Sequence, residues 1–577
     1  MKTRSIALAL AAGVGLVAAG CGSNAATSSS NNSSTAVQKG GTLNVALSPD
    51  TNINWYLPVT SASFDTLPNA MVQDQSFKPL IWLNTHWQIV WKSSIAKKIT
   101  YNAQGTVYHV FLNKKWHWSN GQPVTAKDLM FTWNVIKAAS AANAPQPWPY
   151  VGVGTGDIPS GIQSVVENNN YEVTFTLKQP ANQQWFIYNG LVQFFPLPAQ
   201  TMDVDGNNWS KEIAYLGSLG TNPAAMEKVV DGPFILQKAV KNQYWVMVPN
   251  PHYDGHKANV SKLVFDYEGS NDSEYAALKT GQINVGYLDL SQYGARGALV
   301  AQGDKIVPAY LMSDYWTDLN MRPGSTTRAI FDQLPVRQAL EMGIDQQAIN
   351  KKIYHGFAPP TYGPIPSTPR TKFFDPALKS NPYPYNPKAG KALLEQNGWK
   401  DVNGVMTKGN EKLQFTMLYT TGTESTTQTV ELMQQDWAKE GIQVTLKGVS
   451  FPEMISMEFN TSQPKTWQMA TGSGWAYDGP GWYPSGDGLF NTGAPNGDGY
   501  SSSEEDALIN ATHQPQATQA KTMQIFFKYE DYTAKQVPML WENNFGGLDV
   551  FAPTVHNTSY INGATGLSQF NYFWISK

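Results

Sequence analysis

One cysteine, Cys21, in 577 residues is the strongest constraint on what this chain can fold into. With a single thiol the chain has no internal disulfide, so the polypeptide beyond it must be held by its own apolar core. From Cys21 to Lys577 it is far longer than the roughly 250–300 residues at which one core gives way to several. Hydrophobic residues make up 41% of the chain and charged residues 15%, enough apolar material for more than one core.

The position of Cys21 is informative too. Met1-Lys2-Thr3-Arg4 is a short basic head, and Ile6 to Ala19 is an apolar, small-residue run too short for a stable membrane span. Ala18-Ala19-Gly20-Cys21 resembles a lipobox, with Ala18 where Leu is usual. Residues 1–20 are therefore read as a lipoprotein signal peptide and Cys21 as the lipidated first residue. An ordinary secretory signal is the alternative, and either places the chain outside the cytoplasmic membrane. Gly22 to Thr35 is almost wholly Ser, Asn, Ala, Thr and Gly. Residues 21–38 are expected to be a tether that cannot bury a core.

Charge excludes one class of partner. Removing Lys2 and Arg4 lowers the basic count of 41 by two against 44 acidic groups, so the formal charge moves from −3 to −5. There is no basic block, and nucleic acid is not an expected partner. No later apolar run is long enough to span a bilayer. The 19 Trp, 27 Tyr and 24 Phe exceed what a core alone suggests and suit stacking on an extended ligand.

The local pattern is mixed α and β without repeats. Gly40 to Leu47 and Val107 to Leu112 alternate as strands do. Thr125 reads as an N-cap with Asp128 at the capping-box position, followed by Leu129, Trp133 and Ile136 on one helical face. Val165-Val166 and Tyr171 to Leu177 flank the turn residues Asn168-Asn169-Asn170. Val336, Ala339, Leu340, Gly343 and Ile344 keep helical spacing, and Asp345 caps a second helix predicted to end at Gly356. Asn386-Pro387 opens another helix with Gly398 past its end, Val430, Met433 and Trp437 mark a further helix face, and Ile442 to Val449 returns to strand. Strand–helix units this widely separated favour a multi-lobed α/β protein.

The order of these segments resembles the family 5 solute-binding proteins of ABC importers, the oligopeptide- and dipeptide-binding group. Residues 116–129 (WHWSNGQPVTAKDL) resemble its most specific signature, with Ser119-Asn120 where an acidic residue is usual. Gly40 to Leu43, Tyr171 to Pro180, Asp231-Gly232-Pro233-Phe234 and Asn250 to Tyr253 follow in family order. So do Ala276 to Ile283 (with Asn284 for Asp), Pro335 to Leu340 with Ile344-Asp345, and Tyr385 to Trp399. Most of these build scaffold. Arg337 is expected to anchor its helix to neighbouring carbonyls, and His117 to be a hydrogen-bonded scaffold residue.

The resemblance implies an α/β, two-lobed periplasmic-binding-protein fold of type II, in the large cluster C form with an extra subdomain and a hinge between lobes. It places lobe I at residues 39–80, 191–314 and 544–577, an inserted subdomain at 81–190, and lobe II at 315–543. It implies a monomer without cofactor or enzymatic activity. Such a protein captures solute in an interlobe cleft and passes it to a permease and ATPase complex, closing when ligand touches both lobes.

An extended peptide can be read by adding it as a strand, and its ammonium wants a carboxylate. In the family that carboxylate follows a Trp in a second-lobe loop. The matching segment here, residues 472–482 (GSGWAYDGPGW), places Asp478 three residues after Trp475, with Tyr477 beside it. Asp478 could equally cap its own Asp-Gly-Pro turn. Gly479-Pro480 shortens the loop relative to peptide binders and makes it more aromatic, which keeps an oligosaccharide cargo open. Trp55, Trp475, Trp482 and Trp541, with Tyr56, are the aromatic candidates for the cleft, against the core role that is the default for a Trp. An exported hydrolase or surface interaction protein is the remaining class. The chain has no Gly-x-Ser-x-Gly, and Glu504-Glu505-Asp506 reads as a solvated helix start. His252 and His256 lie four apart in a loop context, Asn250-Pro251 and Asp254-Gly255, so no metal is expected there.

Overall fold

Two large β-sheets, each flanked by helices, organise the chain. The computed structural model describes residues 36–577 except 85, 379, 422–423, 459, 461, 478–480, 495–497 and 560–566. Cys21, the signal peptide and Asp478 lie outside the described residues.

The first sheet has seven strands in the order 305–309, 547–551, 285–287, 42–46, 262–266, 244–249 and 234–240. Its centre is parallel: Thr42–Ala46 pairs with Lys262–Asp266, and Val45 with Val285. The second sheet has five strands in the order 443–449, 414–420, 469–476, 313–319 and 540–541. A four-stranded antiparallel sheet (96–101, 107–112, 172–177, 162–169) stands apart from both. Val107–Leu112 and Glu172–Leu177 bury every second residue, as strands with one solvated face do.

Local sequence explains the helix starts. Helix Ala126–Ala139 opens with the Thr125–Asp128 capping box, the Thr125 amide donating to Asp128 Oδ2 at 2.8 Å. Leu129, Trp133 and Ile136 are all buried beneath it. Helix Pro387–Gln396 is capped by Asn386, whose side chain accepts from the Ala389 amide at 3.0 Å, and Gly398 follows its end at φ +89°. Helix Gln346–Lys352 stops short of Gly356. The chain leaves the helix early because Tyr354 turns inward and is buried, with His355 left-handed at φ +52°. Arg337 donates to the carbonyls of Phe331, Gln536 and Val537, tying helix Leu334–Met342 to the end of helix Gln519–Gln536.

Two short segments join the sheets. Residues 310–312 lead from the strand Lys305–Ala309 of the first sheet to Ser313–Leu319 of the second. Residues 542–546 return from Leu540–Trp541 to Gly547–Phe551. Asn544 laces the two crossings: its amide donates to Leu311 O at 3.1 Å and its oxygen accepts from the Ser313 hydroxyl at 3.2 Å. Gly546 lies against Tyr310, so a Cβ there would stand 2.7 Å from the ring. One buried apolar cluster runs from Leu43 and Val45 through Tyr108 and Phe175 to Tyr483 and Phe526, so these parts pack on each other.

Candidate functional site

The carboxyl ends of parallel strands are where open α/β sheets hold ligands, because the chain reverses there and leaves a crevice. A cavity of about 540 Å³ occupies this place. Residues 45–49 follow the strand Thr42–Ala46 into its wall, beside 285–287 and 547–551 from the same sheet. Tyr315 and Thr421 reach it from the second sheet, and Leu311 and Phe545 from the two crossings. Phe545 stacks on Tyr315 with ring centroids 4.0 Å apart, so a crossing residue and a second-sheet residue form one aromatic face.

Beside this face lies a small cavity of about 60 Å³, lined by Tyr354, Thr471 and Glu542 among others. Glu542 Oε1 accepts from the hydroxyls of Thr317 and Thr471, each at 2.6 Å, and burial raises its carboxyl above the usual range. A third cavity, about 150 Å³, lies under Trp82, Tyr150 and Trp482. It contains Asp74, whose carboxyl burial pushes up to about 6 while Lys78 pulls it down. Leu567 lines both this space and the main cleft.

Among the described residues, those singled out in the sequence do not gather at the main cleft. Trp55 is fully buried, stacks on Phe64 at 5.0 Å and donates its indole N–H to Leu57 O at 2.9 Å. Tyr56 is buried and its hydroxyl accepts from Trp245 Nε1 at 2.9 Å. Trp541 is fully buried edge-on to Phe490. These three are core residues and not cleft walls: each faces apolar neighbours in its own lobe, where a large ring removes the most surface from water. Tyr477 is also buried; its hydroxyl stands 3.0 Å from Asp314 Oδ2 and 2.5 Å from Pro364 O. Burial holds Asp314 well above the carboxylate range. The phenol therefore sits between the Asp314 carboxyl and the Pro364 carbonyl as their shared partner. Trp475 is half-buried against the apolar cluster. Among the described members of the set Trp482 alone reaches a sizeable cavity, the one of about 150 Å³, and it meets Trp87 edge-on at 6.3 Å.

The comparisons decide the family. The model for "Bacterial extracellular solute-binding proteins, family 5 Middle" matches residues 91–497, more than half of the chain. The chain belongs to the bacterial extracellular solute-binding proteins of family 5. Family 5 members similar to it include the oligopeptide-binding protein AppA of Bacillus subtilis, 25% identical over 389 residues, which are 67% of this chain and 65% of AppA. The oligopeptide-binding protein OppA of Lactococcus lactis is 25% identical over 466 residues, 76% of this chain and 74% of that protein. The chain thus spans just under two thirds of AppA's length in that match. The structure of Bacillus subtilis AppA with a nonapeptide superposes with a TM-score of 0.75 at 19% identity, covering 94% of this chain and all of that one. NikZ of Campylobacter jejuni, solved with Ni(L-His), gives 0.73 at 18% identity, covering 92% of this chain and 99% of NikZ. The two-lobed fold is therefore that of family 5, and within this fold the bound solutes differ widely. No helix among the described residues is long and apolar enough to cross a membrane.

Sequence reasoning missed the residues that line the main cleft: Glu274, Tyr287, Asp289, Tyr315, Phe545 and Asp549. Glu274 stands two residues before the motif read at Ala276 to Ile283, the nearest signal to any of them.

Proposed function

We propose that this protein captures peptides in the cleft between its sheets and delivers them to an ABC permease, from a position outside the cytoplasmic membrane where lipidated Cys21 holds it. The carrying observation is the cavity of about 540 Å³ lined jointly by Tyr315 and Thr421 of the second sheet and by strand ends of the first. A ligand there touches both lobes only when they are closed, which is how binding biases a hinge. Two crossings, 310–312 and 542–546, supply that hinge. Peptide-binding relatives along most of the chain's length support the same reading. The lobe boundaries are those proposed from sequence, with the second lobe at 315–543. Asp478 is the proposed anchor for the peptide ammonium, a charge-assisted bond of about 1.5–3 kcal/mol.

An oligosaccharide cargo is less well supported. Among the described residues no Trp lines the main cleft, and Trp55 and Trp541 are committed to the core.

The test is mass spectrometry of small molecules released by denaturing the purified chain from Gly22 onward. A set of short peptides is expected, and Asp478→Ala is expected to empty it. Hexose-spaced masses would overturn the peptide reading. Lipidation is tested separately: incorporation of a labelled fatty acid is expected in the wild type and absent in Cys21→Ser.

A further inference from the structure

The wall that the first sheet gives to the cleft is acidic and lacks a counter-charge. Tyr287 and Asp549 are register partners on antiparallel strands, so their side chains leave the same face. The Tyr287 hydroxyl donates to Asp289 Oδ2 at 2.8 Å, and the Tyr287 amide donates to Glu274 Oε1 at 2.7 Å. All four residues line the cavity. Three carboxyl groups therefore surround one tyrosine, and among the described lining residues there is no Lys, Arg or His.

Two of these carboxyls have unused capacity. Glu274 is 2% exposed, and its Oε2 has no hydrogen-bond partner. A structural role does not need that oxygen, because Oε1 alone holds the Tyr287 amide. Asp549 is half-buried on the cavity side of its strand. Burial alone raises its carboxyl, to about 6, and no donor or cation offsets the effect. Glu274 is pushed up to about 8, first by burial, with Glu268 and Asp289 adding to it and the Tyr287 hydrogen bond opposing. A buried carboxyl with an idle oxygen is costly, and an entering cation is the group that relieves it.

We propose that the Glu274–Tyr287–Asp289–Asp549 wall is a subsite for a cationic side chain of the cargo, a Lys or Arg of the bound peptide. The subsite rests on the peptide reading above and adds a charge preference to it. An ammonium or guanidinium placed between Asp549 and Glu274 meets two carboxyls at once, while Asp289 is already oriented by Tyr287 and by the Ser291 amide at 2.8 Å. An acidic side chain at the same place meets further carboxyl groups and no cation.

Alanine pentapeptides carrying one Lys at successive positions, each paired with norleucine at the same position, test this by calorimetry. Norleucine keeps the aliphatic stem and removes the charge. At one position Lys is expected to bind about tenfold or more tightly than norleucine. Asp549→Asn and Glu274→Gln, both close in shape to the wild type, are each expected to shrink that ratio, and melting curves of the two variants report whether they fold. Equal affinity of Lys and norleucine at every position, with the peptides bound, would overturn the subsite and leave peptide capture standing. A Lys preference that survives both substitutions would place the cation elsewhere and overturn it too. Failure of every peptide to bind would overturn peptide capture, and the subsite with it.

Discussion

Asn189 and the backbone of Tyr483 hold each other by two hydrogen bonds: the Asn189 amide donates to Tyr483 O at 2.9 Å, and the Tyr483 N–H donates to Asn189 Oδ1 at 2.7 Å. The side chain acts as a one-residue strand partner and satisfies both backbone groups of a buried residue. Asn189 follows the four-stranded sheet in sequence, whereas Tyr483 follows the second-sheet strand Met469–Ala476. Beside this bridge Trp185 stacks on His513 at 4.2 Å, and Ser485 meets His513 Nε2 at 2.8 Å. Asn189→Ala leaves the buried Tyr483 N–H unpaired at about 1–3 kcal/mol, while Tyr483 O keeps the Ser485 amide at 2.8 Å. The closed form is expected to lose that much, seen as roughly tenfold weaker ligand binding and a larger radius of gyration in solution scattering. Unchanged binding and scattering would show that the bridge does not report closure.

Gly546 tests the hinge. A Cβ there would lie 2.7 Å from the ring of Tyr310 on the opposite crossing and 3.1 Å from O of Ala309, the strand residue that leads into it. Gly546→Ala is expected to lower the melting temperature and weaken ligand binding together, since the two crossings must part. Tyr310→Ala in the same chain removes the ring and is expected to recover most of the loss. No recovery in the double variant would place the strain elsewhere.

Tyr477 separates a structural from a ligand-binding role. Tyr477→Phe leaves Asp314 and Pro364 O without their shared partner, at a cost of about 1–3 kcal/mol. Denaturant titration is expected to show this loss with ligand affinity nearly unchanged. A large fall in affinity with stability intact would return Tyr477 to the cleft.

Stability is expected to fall as pH rises. Burial raises Glu341 and Asp231 to about 8 and Glu505 to about 7, although hydrogen bonds to each of them oppose it. It raises Glu440 to about 9, with Asp436 adding to the shift. A carboxyl raised in the folded state contributes fully below its unfolded value near 4 and loses that contribution as pH climbs through the folded value. The denaturation midpoint should therefore decline between about pH 5 and pH 9, at up to roughly 1.4 kcal/mol per pH unit for each proton released. A midpoint that rises over this range would contradict the protonated state assigned to these groups.

Much of the scaffold could be read one segment at a time. The capping box at Thr125 and Asp128, the Asn386-Pro387 helix start and the alternation in Val107–Leu112 depend on neighbours within a few residues, and these are where the structure has them. The helix expected to run to Gly356 ends at Lys352, because burying Tyr354 outweighs continuing the local pattern. Aromatic content misled for a related reason. A Trp against the core and a Trp against a ligand look alike in sequence, and Trp55 and Trp541 chose the core.

What the sequence determined by itself was the family, the succession of strands and helices, and the absence of any internal disulfide, since each depends on residue identity and short-range spacing. Only the tertiary structure decided which residues share the cleft. Val45, Glu274, Tyr287, Tyr315 and Asp549 are separated by up to about five hundred positions, and they meet because parallel pairing puts the ends of strands 42–46 and 285–287 side by side while the crossings at 310–312 and 542–546 bring the second sheet over them. That convergence is a property of strand order and hinge geometry, which no local pattern of residues encodes.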